Sequence, residues 1–488
     1  MGHQVKRSMK PQNLLFIISD QHNRDLLGSY GHPMVETPNL DRLAANGTRF
    51  TNAYTNCPIC VPARASLATG RYVHQIGYWD NAFPYEGQVE SWGHQLRDQG
   101  HRVDSIGKLH FSQVEDDHGF TEEIEPLHVV DGTGDVLGCI RDNPPSRDKR
   151  SEITRAGSGD STYLQYDLRN ADNACRWLAQ YQDEEKPWVL FLSFVCPHPP
   201  YIAPVDLFEC YDLDQIQLLP QSDPDNWPTH PAIDRFRRFF SYHHALSEDV
   251  IRKLHAAYYG ICTYLDRQIG RVLDILGELG LSETTRVIYT SDHGDSLGAR
   301  GLYGKFTMYE ESAAVPLIMS GPDVPVGKIV ETPVSLVDSY PTIVEAVGAD
   351  VDFSSQPGQS LWEIANSSDQ DRTVFSEYHA VGSKDAIYML CDRQYKYVHY
   401  VNEPPQLFNL VTDPDECRDL AMNPNHQSIL HDFDQRLNQI LDPVAANEQA
   451  HQDQAECIER NGGETAVRAR GAFDNSPVPG ESPAFRVH

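Results

Sequence analysis

Cys60 opens the run Cys60-Val61-Pro62-Ala63-Arg64-Ala65-Ser66-Leu67-Ala68-Thr69-Gly70-Arg71, and several of its residues can do chemistry together. Pro62 suits the first turn of a helix, where its missing N–H is no loss. A helix starting there aims its N-terminal amides at an anion bound beside residue 60. Arg64, one turn in, brings a permanent charge that can hold a hydroxylated group and neutralise its surroundings. Cys57 and Cys60 also make a Cys-x-x-Cys, which fits a redox pair or half of a zinc site. A zinc ribbon needs a second such pair, and the chain has none. A redox pair leaves Pro62, Arg64 and the Thr-Gly-Arg ending without a role.

The run resembles the signature of the type I sulfatases of the alkaline phosphatase superfamily: Cys-x-Pro-(Ser/Ala)-Arg followed by a Thr-Gly-Arg ending. The resemblance implies that a maturation enzyme oxidises Cys60 to formylglycine, whose aldehyde hydrates to a geminal diol. One hydroxyl attacks sulfur and takes up the sulfate as a covalent ester. The other then loses a proton, the carbon returns to the aldehyde, and sulfate leaves. Further residues match the family in order. Gly107-Lys108-Leu109-His110 resembles its Gly-Lys-x-His segment, with Lys108 on a sulfonyl oxygen and His110 on the diol. His198, in Pro197-His198-Pro199-Pro200, matches the histidine near the leaving-group oxygen. Lys305, in Gly301-Leu302-Tyr303-Gly304-Lys305, matches the second lysine on the sulfate. Singly, a lysine is usually a solvated charge and Pro-His-Pro-Pro a rigid loop; matches in sequence order reverse those odds. Asn81, in a segment similar to one that follows the motif in choline sulfatases, is a pocket candidate with a turn as its alternative.

The same resemblance implies a divalent cation held by Asp20, Gln21, Asp292 and His293. The commonest family pattern has Asp-Asp and Asp-Asn at these pairs, so this chain has one carboxylate fewer and an imidazole instead of a hard oxygen. That moves preference from Ca²⁺ towards Mn²⁺ or a similar ion, with Ca²⁺ and Mg²⁺ still open. The pairing resembles the branch of choline sulfatases, phosphonate monoester hydrolases and some bacterial arylsulfatases. In the phosphonate enzymes Tyr and Thr are expected where this chain has Lys108 and His110, which favours sulfate monoesters. Phosphonate monoester or phosphodiester hydrolysis is the alternative. A non-catalytic binding protein on the same fold is disfavoured, because nucleophile and metal ligands are all present.

The elements that must position these residues are apolar strands. Leu14–Ile18 runs into Asp20-Gln21, Trp188–Val195 into Pro197-His198, and Val287–Thr290 into Asp292-His293. Continuous apolar strands alternating with helices, such as the stretch from about Ser247 to Leu279, indicate a mostly parallel sheet covered on both faces. Ligands bind beyond the carboxyl ends of such strands. Thr37-Pro38 to Gly47 carries a helix's punctuation, with Thr as cap and Gly as stop. The expectation is an α/β, alkaline-phosphatase-like catalytic domain over 1–370. A small antiparallel α+β subdomain follows over 371–443, where Gln406–Leu410 resembles a sulfatase segment. A polar tail, 444–488, cannot make its own core. It reads as disordered or as an arm burying Ile458, Val467, Phe473, Val478, Phe485 and Val487 on a neighbouring subunit, at the pocket rim of a homo-oligomer (dimer or tetramer).

The formal charge of −30 over 488 residues argues against nucleic-acid or anionic-membrane partners. No apolar run is long enough to span a bilayer, and Leu14–Ile18 is too short for a signal-peptide core. Ten cysteines without a spacing pattern suggest free thiols and a cytoplasmic protein. The partners expected are a small-molecule sulfate or phosphonate ester and the formylglycine-generating enzyme.

Overall fold

A computed structural model describes residues 10–487. Its centre is an eight-stranded sheet. In chain order the strands are β1 (Asn13–Asp20), β2 (Gly47–Phe50), β3 (Val103–Lys108), β4 (Glu122–Leu127), β5 (Val189–Pro197), β6 (Thr285–Ser291), β7 (Leu317–Ser320) and β8 (Lys328–Val330). They lie in the order β8-β2-β7-β6-β1-β5-β3-β4, and only β7 runs against its neighbours.

The sheet is buried on both faces, as continuous apolar strands require. Leu15 and Ile17 of β1 enter one core with Trp177 and Leu265. Leu14, Phe16 and Ile18, pointing the other way, enter a second with Ala65 and Ile343. Burying each such side chain contributes about 1.5–3 kcal/mol. The first face carries α1 (Pro38–Ala45), α3 (Thr162–Gln180) and α4 (Glu248–Glu278); the second carries α2 (Cys60–Thr69) and α5 (Ser339–Val347).

Two punctuation marks of α1 act differently from the expectation. Thr37 makes no side-chain cap bond; its hydroxyl donates to Asp41. The helix ends at Ala45, and Gly47 opens β2, where a Cβ would lie 1.9 Å from the Met319 carbonyl oxygen.

Strands β9 (Val374–Tyr378), β10 (Ile387–Cys391), β11 (Tyr395–Tyr400) and β12 (Gln406–Asn409) form an antiparallel sheet in sequence order, with α6 (Gln427–Ile440) against it. The polar tail is ordered. Asp442 caps α7 (Pro443–Arg460) by accepting from Val444 N and Ala445 N, and α8 (Gly463–Arg470) follows. Val467 is buried with Leu137 and Cys139, and Val478 with Tyr163 and Tyr166. Neither anchor needs a neighbouring subunit: the tail borrows this chain's own catalytic domain as its core. Phe485 and Val487 stay exposed. Among the described residues no helix is long and apolar enough to cross a membrane.

Candidate active site

Four adjacent strands, β6, β1, β5 and β3, end side by side. Their carboxyl ends deliver Asp292-His293, Asp20-Gln21, His198 and Lys108 to one edge, where a parallel sheet binds its ligands. Cys60 is the first residue of α2 and lies at the floor of the resulting cavity. Gln21, Asn81, Lys108, His110, His198 and Lys305 line the same cavity.

Cys60 Sγ is 2.8 Å from Lys305 Nζ and 3.2 Å from His293 Nε2. Burial first, then the Asp20 charge, pushes the thiol up to about 11. The unmodified side chain is therefore a poor thiolate nucleophile at neutral pH. Its Sγ marks where the oxygens of an oxidised residue 60 would sit.

Asp20, Asp292, His293 and Cys60 bring one ligand atom each within 4.8 Å of one another. His293 Nδ1 lies 3.1 Å from the Gly294 carbonyl oxygen, to which a neutral ring donates. Burial holds this imidazole down at about 4, so Nε2 presents a lone pair. Gln21 donates from Nε2 to Asp295 at 2.6 Å, and its Oε1 is buried without a hydrogen-bond partner. Two carboxylates, one spare amide oxygen and one imidazole lone pair are a fitting donor set for a divalent cation.

Arg64 neutralises nearby charge, as its spacing suggested. Its Nε donates to Asp292 at 2.8 Å, and Nη1 donates to the Lys108 carbonyl and Ser193 Oγ. It braces the Asp292 carboxylate and the end of β3, while its buried Nη2 has no hydrogen-bond partner. The N-terminal amides of α2 are also partly spent: Val61 N donates to Asn81 Oδ1 at 3.2 Å. Asn81 is thus a helix cap as well as a lining residue.

Burial would raise the Asp20 carboxyl. Lys108, His198, Lys305 and His293 outweigh it and hold the group well below the usual carboxylate range. Burial with Lys108 pushes His110 down, and burial with Lys305 does the same to His198. His198 Nδ1 pairs with the Pro199 carbonyl oxygen at 2.8 Å.

Sequence reasoning missed two contributors. Asp295 is wholly buried and orients Gln21, yet an acidic residue two places past a metal pair carries no signature of its own. Ser476, from the tail, lies 2.7 Å from His110 Nε2, and Phe473–Ser476 form one wall of the cavity. The tail thus meets this chain's own cavity, whereas the expected arm lay across a neighbouring subunit.

The fold and site are those of an ester hydrolase acting on a tetrahedral anion, and the chain belongs to the sulfatase family: the model of that family matches residues 12–349. It is a sulfuric ester hydrolase. A second model, for the C-terminal part of N-sulphoglucosamine sulphohydrolase, matches residues 298–442. The choline-sulfatase of Rhizobium meliloti (strain 1021) is 31% identical over 438 residues, covering 84% of this chain and 83% of that protein. Arylsulfatase K of Homo sapiens is 28% identical over 478 residues, covering 92% and 86%. Among solved structures, the phosphonate monoester hydrolase from Silicibacter pomeroyi superposes with a TM-score of 0.72 at 25% identity, covering 88% of this chain and 94% of that one.

Proposed function

We propose that the enzyme hydrolyses sulfate monoesters with formylglycine derived from Cys60. The observation that carries this is the seat of Cys60, with Lys305 Nζ at 2.8 Å and the His293 lone pair at 3.2 Å, under a cavity that also meets Lys108, His110 and His198. Formylglycine, once hydrated, supplies one hydroxyl for attack on sulfur and a second from which the aldehyde is restored. A divalent ion held by Asp20, Gln21, Asp292 and His293, more suitably Mn²⁺ than Ca²⁺, would supply Lewis-acid polarisation.

The chain's own residues do the rest. Lys108 and Lys305 offer two ammonium groups to the oxygens of an anionic ester, in a chain whose overall charge repels it. His198 commits Nδ1 to Pro199, which leaves Nε2 to hold or release the leaving-group proton. His110 is held through Nε2 by Ser476, and its buried Nδ1 has no hydrogen-bond partner. Nδ1 is the atom free to take a proton from residue 60. Phe473–Ser476 exclude water from one side.

The maturation partner is a formylglycine-generating enzyme. Every residue of α2 is buried, which favours conversion before this segment folds. A homo-oligomer in a reducing compartment completes the reading. A kinetic panel of aryl sulfates, choline sulfate and phosphonate monoesters tests it. Sulfate esters should give the highest kcat/KM; a phosphonate monoester that exceeds them all would overturn the assignment.

A further inference from the structure

Outside the catalytic cavity, His118, Glu123 and His128 bring their ligand atoms within 4.8 Å of one another. His118 precedes β4, Glu123 lies on it and His128 follows it. Glu123 bridges the two rings: Oε1 is 2.8 Å from His118 Nδ1, and Oε2 is 3.1 Å from His128 Nε2. His118 is buried, while Glu123 and His128 keep one edge towards solvent.

A neutral His118 cannot donate to both of its partners. Ser112 has one hydroxyl proton and gives it to Asp116 Oδ2 at 2.5 Å. His118 Nε2, 3.1 Å from that same oxygen, must then be the donor between them. A neutral imidazole has no second N–H, so Nδ1 turns a lone pair to the Glu123 carboxylate. A cation in this gap removes the repulsion. A second proton on His118 would satisfy that edge too, with neutral His128 donating from Nε2 to Glu123. A metal ion serves all three side chains at once. Ligands sharing one tetrahedral ion at about 2.0–2.2 Å stand roughly 3.3–3.6 Å apart, so the gaps of 2.8 and 3.1 Å seen here would open slightly around an ion.

We propose that His118, Glu123 and His128 form a second metal site, for Zn²⁺, separate from the Asp20–His293 cluster. Two imidazoles and a carboxylate are zinc donors, and the exposed edge leaves room for water as a fourth ligand. Ser112 fixes the tautomer that turns Nδ1 to the ion, as an outer-shell partner does. The site would act as a clasp. Leu109 N and His110 N both donate to the Leu127 carbonyl oxygen, one residue before His128. Tying His128 and Glu123 to His118 therefore secures the strand that seats His110.

The probe is Zn²⁺ alone, titrated into full-length, chelator-treated protein with stoichiometry read by calorimetry. Asp292→Asn, which disables the first site, should still bind one equivalent. Adding Glu123→Gln should weaken that binding at least ~10-fold. His128→Ala, at a partly exposed position, should do the same if the isosteric change is too mild. Co²⁺ substitution gives a folding-independent readout: a tetrahedral visible band in the parent, absent from both variants. Equal Zn²⁺ stoichiometry and affinity with and without Glu123 and His128 would overturn the site. So would nuclear magnetic resonance showing His118 as an imidazolium in Zn²⁺-saturated protein.

Discussion

Asp295→Asn changes a charge and almost no volume, which makes it a clean probe of how the cavity is built. Asp295 Oδ2 accepts from Gln21 Nε2 at 2.6 Å and Tyr201 OH at 2.7 Å. Its Oδ1 accepts from Leu297 N at 2.9 Å and Gly304 N at 2.8 Å. An amide has one oxygen, so whichever way it turns, two of these donors meet an NH₂ group. A stranded buried donor costs about 1–3 kcal/mol, giving ~2–6 kcal/mol in the orientation that strands the two backbone N–H groups. That is a large part of a typical stability of roughly 5–15 kcal/mol. One orientation strains the loop that carries Lys305; the other makes Gln21 flip and spend its spare Oε1. Both damage the metal site, and affinity for Mn²⁺ should fall by about 10–100-fold. Urea unfolding of metal-free protein and a Mn²⁺ titration measure the two effects. A variant as stable as the parent that binds Mn²⁺ equally well refutes this account of Gln21.

Asn81→Ala removes the acceptor for Val61 N and should cost ~1 kcal/mol in urea unfolding, as loss of a helix cap does. Loss of His198 should slow esters of poorly acidic alcohols by about 10²–10⁴-fold and activated aryl esters far less; an equal loss across a leaving-group series would make its role purely positional. Truncation after Arg470 removes the wall Phe473–Ser476 and should raise KM for bulky esters, while unchanged kinetics would make the wall inert. Burial pushes the Glu377 carboxyl up, but His74 and His379 outweigh it and hold it at about 2. A depressed carboxylate gives stability that is full above its unfolded value and lost as pH falls through its folded one. Tm should therefore drop between pH 4.5 and about 2 in the parent and less in Glu377→Gln. Burial lowers His74 but Glu377 raises it on balance, so its share is full below pH 6.5 and fades only above that. Parallel Tm curves for the two proteins would contradict the assignment.

The strand ends were legible because burial on both faces makes their apolar runs continuous, and a parallel sheet sends its ligands to one edge. Asp20, Asp292, His293, Cys60, Lys108, His198 and Lys305 could all be placed from that logic and the family resemblance. What stayed hidden depends on contacts distant in sequence. Arg64 could be seen to face an anion but not that the anion is Asp292, 228 positions away. Asn81 showed itself as a turn or lining residue, and only the fold brings it to Val61 N. The tail's composition is too polar for an independent core, a correct reading that says nothing of a borrowed one. Val467 and Val478 dock on surfaces supplied by residues 82–195. Ser476 reaches His110 across 366 positions, a pairing that no local pattern announces.

We propose that residue 60 reacts as formylglycine and not as a thiol. The direct test is peptide mass mapping of residue 60, after co-expression with a formylglycine-generating enzyme, alongside turnover of an aryl sulfate in the same preparations. Turnover should rise in proportion to the converted fraction, and Cys60→Ala should have none. Full multiple-turnover activity in protein whose Cys60 is entirely unconverted, or in Cys60→Ala, would contradict the account.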